Sequence, residues 1–587
     1  MSHQAKKNLG VFLHGHEAEF RVWAPFAKSV SVAGNFAEGI FPMESEGDGY
    51  WSRKLENVEA GNIYHYLIDT GTTTLIRNDP YARQLTVSDK GMSVIVAHDF
   101  DWGDDMFMPI PKEKQIIYEV HVGTFNRPDA STVGTFYDAI DKLDYLSELG
   151  INMIQLMPIT SMAFSNGWGY APNYIFSIEN NYGGRHGLME LVKAAHAKGI
   201  GVIVDVVYNH FYGDSDLWQF DGWNENGRGG IYFYNDQRGD TPWGGRPDFG
   251  RPEVRQFFLD NVVMWFNEYR LDGLRLDSTI YMRNTEGHDN DPAHDIADAW
   301  YLLGDIANLA HKVNPNATII AEDCAATPYI TKPTKDSGIG FDAQWELNFP
   351  HALRDALGLT YNVWPNLSAL RYELTRSYNG NAFEKVIFSD SHDTAANGSV
   401  RLNEAASPGN AGNLFARQRA LLANAITLTA PGMPMLLQGQ EFMQEGAFND
   451  WQMLEWEKAD KFSGIVLAHQ HLIDLRLNRH GSTAGLSGQS TSVFHQDDNN
   501  RVIGYHRWNW GGKGDDVIVI ANFSPDDHSD YWVHLPIAGK WTCRFNSSWK
   551  GYSKDFPEHL VDKITTTDDG SVSLHLPPYS AMIFSQD

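Results

Sequence analysis

Eight short apolar segments, separated by amphipathic helical stretches, dominate the middle of this 587-residue chain. The segments are residues 116–123, 153–159, 201–210, 273–278, 318–324, 343–349, 385–393 and 433–441. Buried strands that alternate with helices are typical of a parallel sheet covered on both faces. Eight repeats predict a closed (β/α)8 TIM barrel. A doubly wound open sheet is the alternative, and it is disfavoured because no Gly-rich phosphate loop follows the first segment.

All-β patterns flank this region on both sides. Before it, short alternating segments such as AEFRVWAP and SVSVAGNF predict a small β-sandwich, and after it VIGYHRWNW and DVIVIANFS return to the two-residue period of strands. We therefore expect a multidomain α/β protein. An N-terminal β-sandwich would occupy residues 1–108, a catalytic barrel 109–480 and a C-terminal all-β domain 481–587. Within the barrel, the Gly-, Trp- and Asn-rich stretch at 211–248 predicts a long functional loop.

Charge and composition exclude several classes of partner. The chain has 74 acidic and 46 basic residues and a formal net charge of -28, which argues against nucleic acid and anionic membranes as ligands. Only Cys324 and Cys543 are present, so no disulfide framework is predicted. No apolar run is long enough for a membrane span, and the first twenty residues lack the apolar core of a signal peptide. We expect a cytoplasmic protein with an uncharged ligand.

Charged and polar side chains follow most of the predicted strands at their carboxyl ends, where barrel enzymes carry their catalytic groups. Taken singly, each could be a helix cap or a loop hydrogen-bonder. Together they predict a charged site at one mouth of the barrel, because converging carboxylates need partner cations. The residues are Asp205, Asn209 and His210 after the third segment, Arg275 and Asp277 in the fourth, Glu322 and Asp323 in the fifth, His392 and Asp393 in the seventh, and Gln440 and Glu441 in the eighth.

Converging carboxylates with Arg and His side chains suit two kinds of chemistry. A metal centre would use the acids and histidines as ligands. It is disfavoured because the sequence has no H-x-H or H-E-x-x-H pair beside the site, and because Arg275 next to Asp277 would oppose a cation. Glycoside chemistry needs two carboxyl groups across the bond that is cut. We expect glycoside chemistry, with no metal and no organic cofactor.

Four of the strand-end segments carry a family resemblance. DVVYNH, GLRLD, IIAED and SHD resemble, in order and spacing, the hallmark segments of the α-amylase family of glycoside hydrolases and transglycosylases. FRVWAPFAKSVSVAGNF followed by NDPYAR resembles the starch-binding-type β-sandwich that precedes the barrel in branching and debranching members. The resemblance implies that the partner is an α-1,4-glucan such as glycogen, amylose or a maltooligosaccharide. The oligomeric state is left open.

The resemblance implies roles for the catalytic residues. Asp277 would be the nucleophile that forms a covalent glucosyl intermediate, and Glu322 would be the general acid/base. Asp393 would bind sugar hydroxyls at the cleavage subsite. The nucleophile must be charged and the acid neutral, so their surroundings must separate the two pKa values. A carboxyl separation of about 5–5.5 Å would give net retention of configuration.

The resemblance also implies a set of substrate-binding residues. Arg275 would keep Asp277 ionised and oriented, since an adjacent cation lowers the pKa of a carboxyl group. Tyr170 would stack under the sugar ring at the cleavage subsite, and Asp205 would anchor the polar network. His210 and His392 would each hydrogen-bond the same sugar.

The resemblance to individual subgroups is divided. YFYNDQRGDTPWGGRPDFG resembles maltooligosyltrehalose trehalohydrolases, whereas SHD and LLQGQEFMQEGAFNDWQMLEW resemble 1,4-α-glucan branching enzymes. Branching, in which an α-1,4 bond is cut and the piece rejoined through an α-1,6 bond, is the favoured function. The first alternative is α-1,4-glucan hydrolysis, including trehalose release. The second is an inactive glucan-binding protein, which is disfavoured because Asp277, Glu322 and Asp393 are all present.

Overall fold

A computed structural model describes residues 8–87, 91–164, 167–213, 215–288, 291–360 and 365–586 of the chain. Among the helices of these residues, none combines the length and the apolar character that crossing a membrane requires.

The eight predicted strands form a closed parallel barrel. Each strand is hydrogen-bonded to the next, and the first closes against the eighth with Ile117 opposite Met435. Every residue in the eight strands is buried, which explains their near-continuous apolar character. The predicted (β/α)8 fold is confirmed, and the open-sheet alternative is wrong. The strands are Ile117–Val120, Met153–Leu156, Gly201–Val206, Gly273–Leu276, Thr318–Ala321, Ala343–Trp345, Lys385–Phe388 and Met433–Leu437.

Helices connect most of these strands and cover the outside of the barrel. The helix Gly184–Ala197 shows why: Leu188, Leu191 and Val192 lie on one face at helical spacing and are buried. Residues 322–342, all described, join the fifth and sixth strands without an α-helix. The other helices are Val122–Phe125, Phe136–Ile140, Leu143–Leu149, Pro252–Asn267, Thr279–Arg283, Ala297–Val313, Asn348–Ala356, Ser368–Thr375, Leu402–Ala406, Leu414–Thr429, Glu457–Lys461 and Ser463–Arg476.

The N-terminal region is a pair of antiparallel sheets, as predicted. One sheet contains, in spatial order, Gly10–His14, Glu17–Trp23, Tyr50–Glu56 and Glu44–Gly47. The other contains Ala37–Pro42, Ser29–Gly34, Ile63–Asp69 and Thr74–Arg77, and Ser93–Val94 also pairs with Ile63–Asp69. Alternate residues of Ile63–Asp69 are buried, which is the two-residue period that the sequence shows.

The C-terminal region is all-β, as predicted. A six-stranded sheet contains, in spatial order, Ser490–Asp497, Val502–Trp508, Val517–Asn522, Ser580–Ser585, Lys540–Asn546 and Lys563–Thr565. His528–His534 and Ser571–Leu576 form a second, two-stranded sheet. The domain boundaries at residues 108 and 480 fall outside every helix and strand of the described chain and stay predictions.

The stretch at 211–248 joins the N-terminal sheets to the barrel mouth. Its described residues contain one short 3-10 turn, Gln237–Gly239, and otherwise irregular backbone. On one side Asp221 Oδ2 accepts a hydrogen bond from the backbone N–H of Phe26 at 2.9 Å. On the other side the ring of Trp243 lies 5.4 Å from that of His210. The loop therefore connects the sandwich to the residues that the sequence places in the site.

Candidate active site

The three predicted catalytic carboxylates lie at one rim of the barrel. Asp277 directly follows the fourth strand and Glu322 the fifth, while Asp393 lies five residues after the seventh strand ends at Phe388. Because the strands are parallel and form a closed ring, their carboxyl ends share this rim. Asp277 and Glu322 are largely enclosed, with side chains 13% and 10% exposed, whereas that of Asp393 is 45% exposed.

Arg275 holds two of these carboxylates and a third from the neighbouring strand. Its Nη1 donates to Asp205 Oδ2 at 2.6 Å and to Asp277 Oδ1 at 3.0 Å. Its Nη2 lies 2.8 Å from Glu322 Oε2, close enough for an ion pair but not aligned as a hydrogen bond. The guanidinium is fully buried and lies 4.3 Å over the ring of Trp345. A permanent cation at this point fixes the relative positions of the acids around it.

Asp277 is oriented by donors on both oxygens. Besides Arg275 at Oδ1, the side-chain amide of Asn209 donates to Oδ2 at 2.7 Å. Burial raises the pKa of Asp277, while Arg275 and the Asn209 hydrogen bond act in the opposite direction. The expected influence of Arg275 is present, but burial, together with Asp205 and Asp393, outweighs it. The carboxylate is held in place by its two donors.

Glu322 has the environment of a carboxylic acid that keeps its proton near neutral pH. Burial raises its pKa to about 7, with Asp277 and Asp393 adding to the rise and Arg275 opposing it. The backbone N–H of Ser278 donates to Glu322 Oε2 at 2.9 Å. Ser278 takes a left-handed backbone conformation, with φ at 38°, at the turn where the fourth strand leaves the barrel.

His392 and Asp393 form the opposite side of the site. His392 Nε2 lies 3.7 Å from Asp393 Oδ2, and the imidazole stacks on Tyr170 with ring centroids 5.2 Å apart. Burial alone would lower the pKa of His392, but Asp393 and the buried Glu119 raise it to about 9. His392 is therefore a cation at neutral pH, and both of its ring nitrogens are donors.

Tyr170, Asp205 and His210 form a polar layer beneath these groups. The Tyr170 hydroxyl donates to Asp205 Oδ2 at 2.6 Å, the same oxygen that Arg275 binds. Asp205 thus links the ring predicted to lie under the sugar to the cation beside the predicted nucleophile. The ring nitrogens of His210 contact the Asn209 side chain and the Tyr170 carbonyl, and burial lowers its pKa to about 4. A hydrogen bond from His210 to a sugar would have to replace one of these contacts.

Two other strand-end acids do not join the site. Asp323 accepts two hydrogen bonds from the guanidinium of Arg283 and one from Thr279, and it is fully buried. Glu441 accepts hydrogen bonds from the hydroxyls of Tyr118 and Tyr145 and is also fully buried. Each is satisfied by neighbours within the fold, so both are structural groups. The sequence pattern of acids after strands did not separate them from the site residues.

Glu119 is a residue at the site that the sequence motifs did not indicate. It lies within the first barrel strand, and its two oxygens accept hydrogen bonds from His392. An acid inside an otherwise apolar strand, in IIYEVHVG, was the available sequence signal. Buried acids need a partner, but the partner here is 273 residues away in sequence.

Three family models match the chain in the order of its domains. Carbohydrate-binding module 48, the isoamylase N-terminal domain, matches residues 8–82. The α-amylase catalytic domain matches residues 119–239 and 221–466, and the α-amylase C-terminal all-β domain matches residues 493–587. Together these matches cover the sandwich, the barrel and the second all-β region.

Relatives with named activities fall into two groups. The chain is 31% identical to the malto-oligosyltrehalose trehalohydrolase of Saccharolobus solfataricus, over 73% of this chain and 74% of that protein. It is 30% identical to the 1,4-α-glucan branching enzyme GlgB of Corynebacterium jeikeium, over 91% of this chain and 76% of that protein. The corresponding enzyme of Corynebacterium diphtheriae is 28% identical over 96% of this chain and 80% of its own.

Solved structures share the fold at lower identity. A pullulanase from Anoxybacillus sp. LM18-11, in complex with maltotetraose, superposes with a TM-score of 0.78 at 20% identity, covering 99% of this chain and 88% of that one. The type I pullulanase of Bacillus subtilis str. 168, in complex with maltose, gives 0.78 at 20% identity, with 99% and 86% coverage.

Proposed function

This chain belongs to the α-amylase family of glucan-active enzymes, and we propose that within the family it is a 1,4-α-glucan branching enzyme. The observation that carries the glycoside chemistry, which branching and hydrolysis share, is the placement of Asp277 and Glu322 on one buried guanidinium, that of Arg275, at the open rim of the barrel. One carboxylate is oriented by two donors, and the other keeps a proton near neutral pH. Nucleophilic catalysis with acid assistance at a glycosidic bond requires this division of roles.

In the first step the α-1,4 bond is cut. Glu322 gives its proton to the glycosidic oxygen as the bond between that oxygen and the anomeric carbon breaks. An oxygen of Asp277 forms the new bond to the anomeric carbon, so the donor glucan becomes an ester of Asp277. Asp393 and the cationic His392 would hold the hydroxyls of the sugar at the cleavage position, with Tyr170 beneath its ring.

In the second step the glucan is passed to an acceptor. Glu322, now a carboxylate, takes the proton of the 6-hydroxyl on another glucan chain. That oxygen bonds to the anomeric carbon, and the ester bond to Asp277 breaks. Two inversions give net retention, and the product carries an α-1,6 branch. If water takes the place of the 6-hydroxyl, the same residues perform hydrolysis.

The extent of the similarity favours branching over hydrolysis. The branching enzymes align over 91–96% of this chain, including both all-β regions, whereas the trehalohydrolase aligns over 73%. Trehalose release is the second candidate, because that relative has an identity of 31%.

Product analysis on amylose tests the proposal. We expect new α-1,6 linkages in the proton NMR spectrum, with few new reducing ends. Many new reducing ends without α-1,6 signals would overturn branching, and release of trehalose from a trehalose-capped maltooligosaccharide would then identify the second candidate. Asp277→Asn is the matched control: an enzyme loses turnover, whereas a pure glucan-binding protein keeps its affinity and has no turnover to lose.

A further inference from the structure

Glu119 is a buried acid whose side chain accepts hydrogen bonds from one active-site histidine. It lies in the first barrel strand, Ile117–Val120, and has no solvent exposure. Its Oε1 is 2.7 Å from His392 Nδ1, and its Oε2 accepts the backbone N–H of His392 at 2.9 Å. One carboxylate therefore holds both the main chain and the ring of the residue that precedes Asp393.

The position of Glu119 rules out direct contact with a sugar. Its carboxylate is on the inner side of His392, while Nε2 on the far side of the imidazole faces Asp393 at 3.7 Å. A carboxylate without exposure is costly unless a cation or several donors compensate it. His392 supplies a hydrogen bond to each oxygen of this carboxylate. The pair therefore connects the first barrel strand to the loop after the seventh strand through two hydrogen bonds.

We propose that Glu119 is a positioning residue, which orients the imidazole of His392 and keeps it protonated so that Nε2–H is presented to Asp393 and to the bound sugar. The proposal rests on the proposed function of the site. A carboxylate on one ring nitrogen fixes which way the ring faces, and it stabilises the imidazolium form, in which the other nitrogen is also a donor. Tyr170, stacked on the ring, prevents the imidazole from tilting away.

The charges around His392 support a cationic ring over a wide pH range. Asp393 and Glu119 raise the pKa of His392 to about 9 against the effect of burial and of Arg275. Because the folded-state pKa is raised, the positive charge is present at neutral pH and is lost as the pH rises through about 9. The charged or titratable groups that act on the ring include Glu119, His121, Asp205, Arg275 and Asp393, together with Tyr170 stacked on it.

Glu119→Gln tests the proposal with almost no change of shape. The amide has one acceptor oxygen and one donor nitrogen, so it cannot accept from both N–H groups of His392. We expect turnover to fall by about 10- to 100-fold, as for other partners of site histidines. The alkaline limb of the pH profile of kcat/KM follows Glu322 in the wild type, because its pKa is about 7, below that of His392. Loss of the charge partner should lower the pKa of His392 from about 9 by about 1–3 units, so we expect the limb of Glu119→Gln to become steeper and to move toward acid. Glu119→Asp keeps the charge and should leave that limb within about one unit of the wild type.

NMR of the full chain with labelled histidine gives a readout that does not depend on the reaction. The Cε1 signal of His392, identified by its absence in His392→Gln, should titrate near pH 9 in the wild type and at a clearly lower pH in Glu119→Gln. Glu441→Gln is the matched control, because Glu441 is also a fully buried acid but is held by tyrosine hydroxyls instead of His392. It should leave both the signal and the limb unchanged.

Two results would overturn the proposal. One is a His392 signal that titrates at the same pH in Glu119→Gln as in the wild type. The other is a loss of turnover in Glu119→Gln that is matched in Glu441→Gln, since a purely structural effect of replacing a buried acid would give that pattern. If the wild type produces reducing ends rather than branches, the proposed function fails. The same variants, assayed on reducing ends, would still test the role of Glu119.

Discussion

Glu322 and Glu441 are two buried acids that follow barrel strands, and their comparison separates a candidate catalytic acid from a structural one. Burial raises the pKa of each to about 7. Glu441 is fully enclosed and accepts hydrogen bonds from two tyrosine hydroxyls. Glu322 is partly open at the rim and shares Arg275 with Asp277. A raised pKa is therefore insufficient to identify a catalytic acid; access to substrate and a nucleophile beside it complete the assignment.

The largest expected effect comes from replacing Asp277, the proposed nucleophile beside Glu322. Asp277→Asn removes the oxygen that bonds to the anomeric carbon, so turnover should fall by about 10⁴-fold or more, the scale of losing a catalytic nucleophile. Initial rates on amylose measure the effect. A variant that keeps more than a tenth of wild-type activity would contradict the assignment.

Replacing the two acids by the same residue sharpens the comparison directly. Glu322→Gln should lower turnover by about 10²–10⁴-fold, because proton transfer to the leaving oxygen is lost. Glu441→Gln should leave turnover within about 3-fold of the wild type, since Glu441 is fully buried and its carboxylate binds the hydroxyls of Tyr118 and Tyr145 and not the site residues. Parallel assays of turnover in both variants test this difference. Similar losses of turnover in the two variants would contradict the distinction between a catalytic and a structural acid.

Replacing the structural acid, Glu441, should instead lower the free energy of unfolding. In Glu441→Gln an amide NH2 group takes the place of one buried carboxyl oxygen beside Tyr118 and Tyr145, and an amide hydrogen left without an acceptor should cost about 1–3 kcal/mol. Denaturant unfolding at pH 4 measures this free energy, because there Glu441 is largely protonated in the unfolded chain as well and the cost of taking up that proton does not enter. Unchanged stability would mean that the fold adjusts around this site.

The pH dependence of stability gives a smaller, separate test. The folded-state pKa of Glu441 is about 7, above the 4.5 of an ordinary Glu, so between these values the folded chain holds a proton that the unfolded chain has lost. This stabilising contribution is present at low pH and decreases as the pH rises from 4.5 to about 7. We expect Glu441→Gln to make the stability curve flatter in this window than that of the wild type. A parallel curve would contradict the raised pKa.

The sequence predicted the barrel well because its signal is local. Each of the eight strands is buried over its whole length and reads as an apolar run, so strand positions follow from composition alone. Motifs at the ends of their strands predicted roles for Asp277, Glu322 and Asp393. The placement of acids after strands did not by itself distinguish Glu322 from Asp323 or Glu441, and only the family resemblance of IIAED singled out Glu322. The direction in which an acid points is set by the turn that follows each strand.

Contacts between distant segments account for what the sequence did not predict. The interaction of Glu119 with His392 exists only once the first and seventh strands enter the same ring. The protein contacts of His210 depend in the same way on Tyr170, which lies in the loop of the hairpin Thr160–Met162 and Pro172–Ile178. Such pairs have no spacing rule that a single sequence could reveal.

Trapping the covalent intermediate tests most directly whether Asp277 is the nucleophile and Glu322 the general acid/base. A maltosyl fluoride with the α configuration needs no acid to release fluoride, so Glu322→Gln should still be glycosylated by it but should transfer the sugar slowly for lack of a base. Mass spectrometry of the digested protein should then place a maltosyl adduct on the peptide that contains Asp277. An adduct on another acid, or none while the fluoride is consumed, would contradict the account.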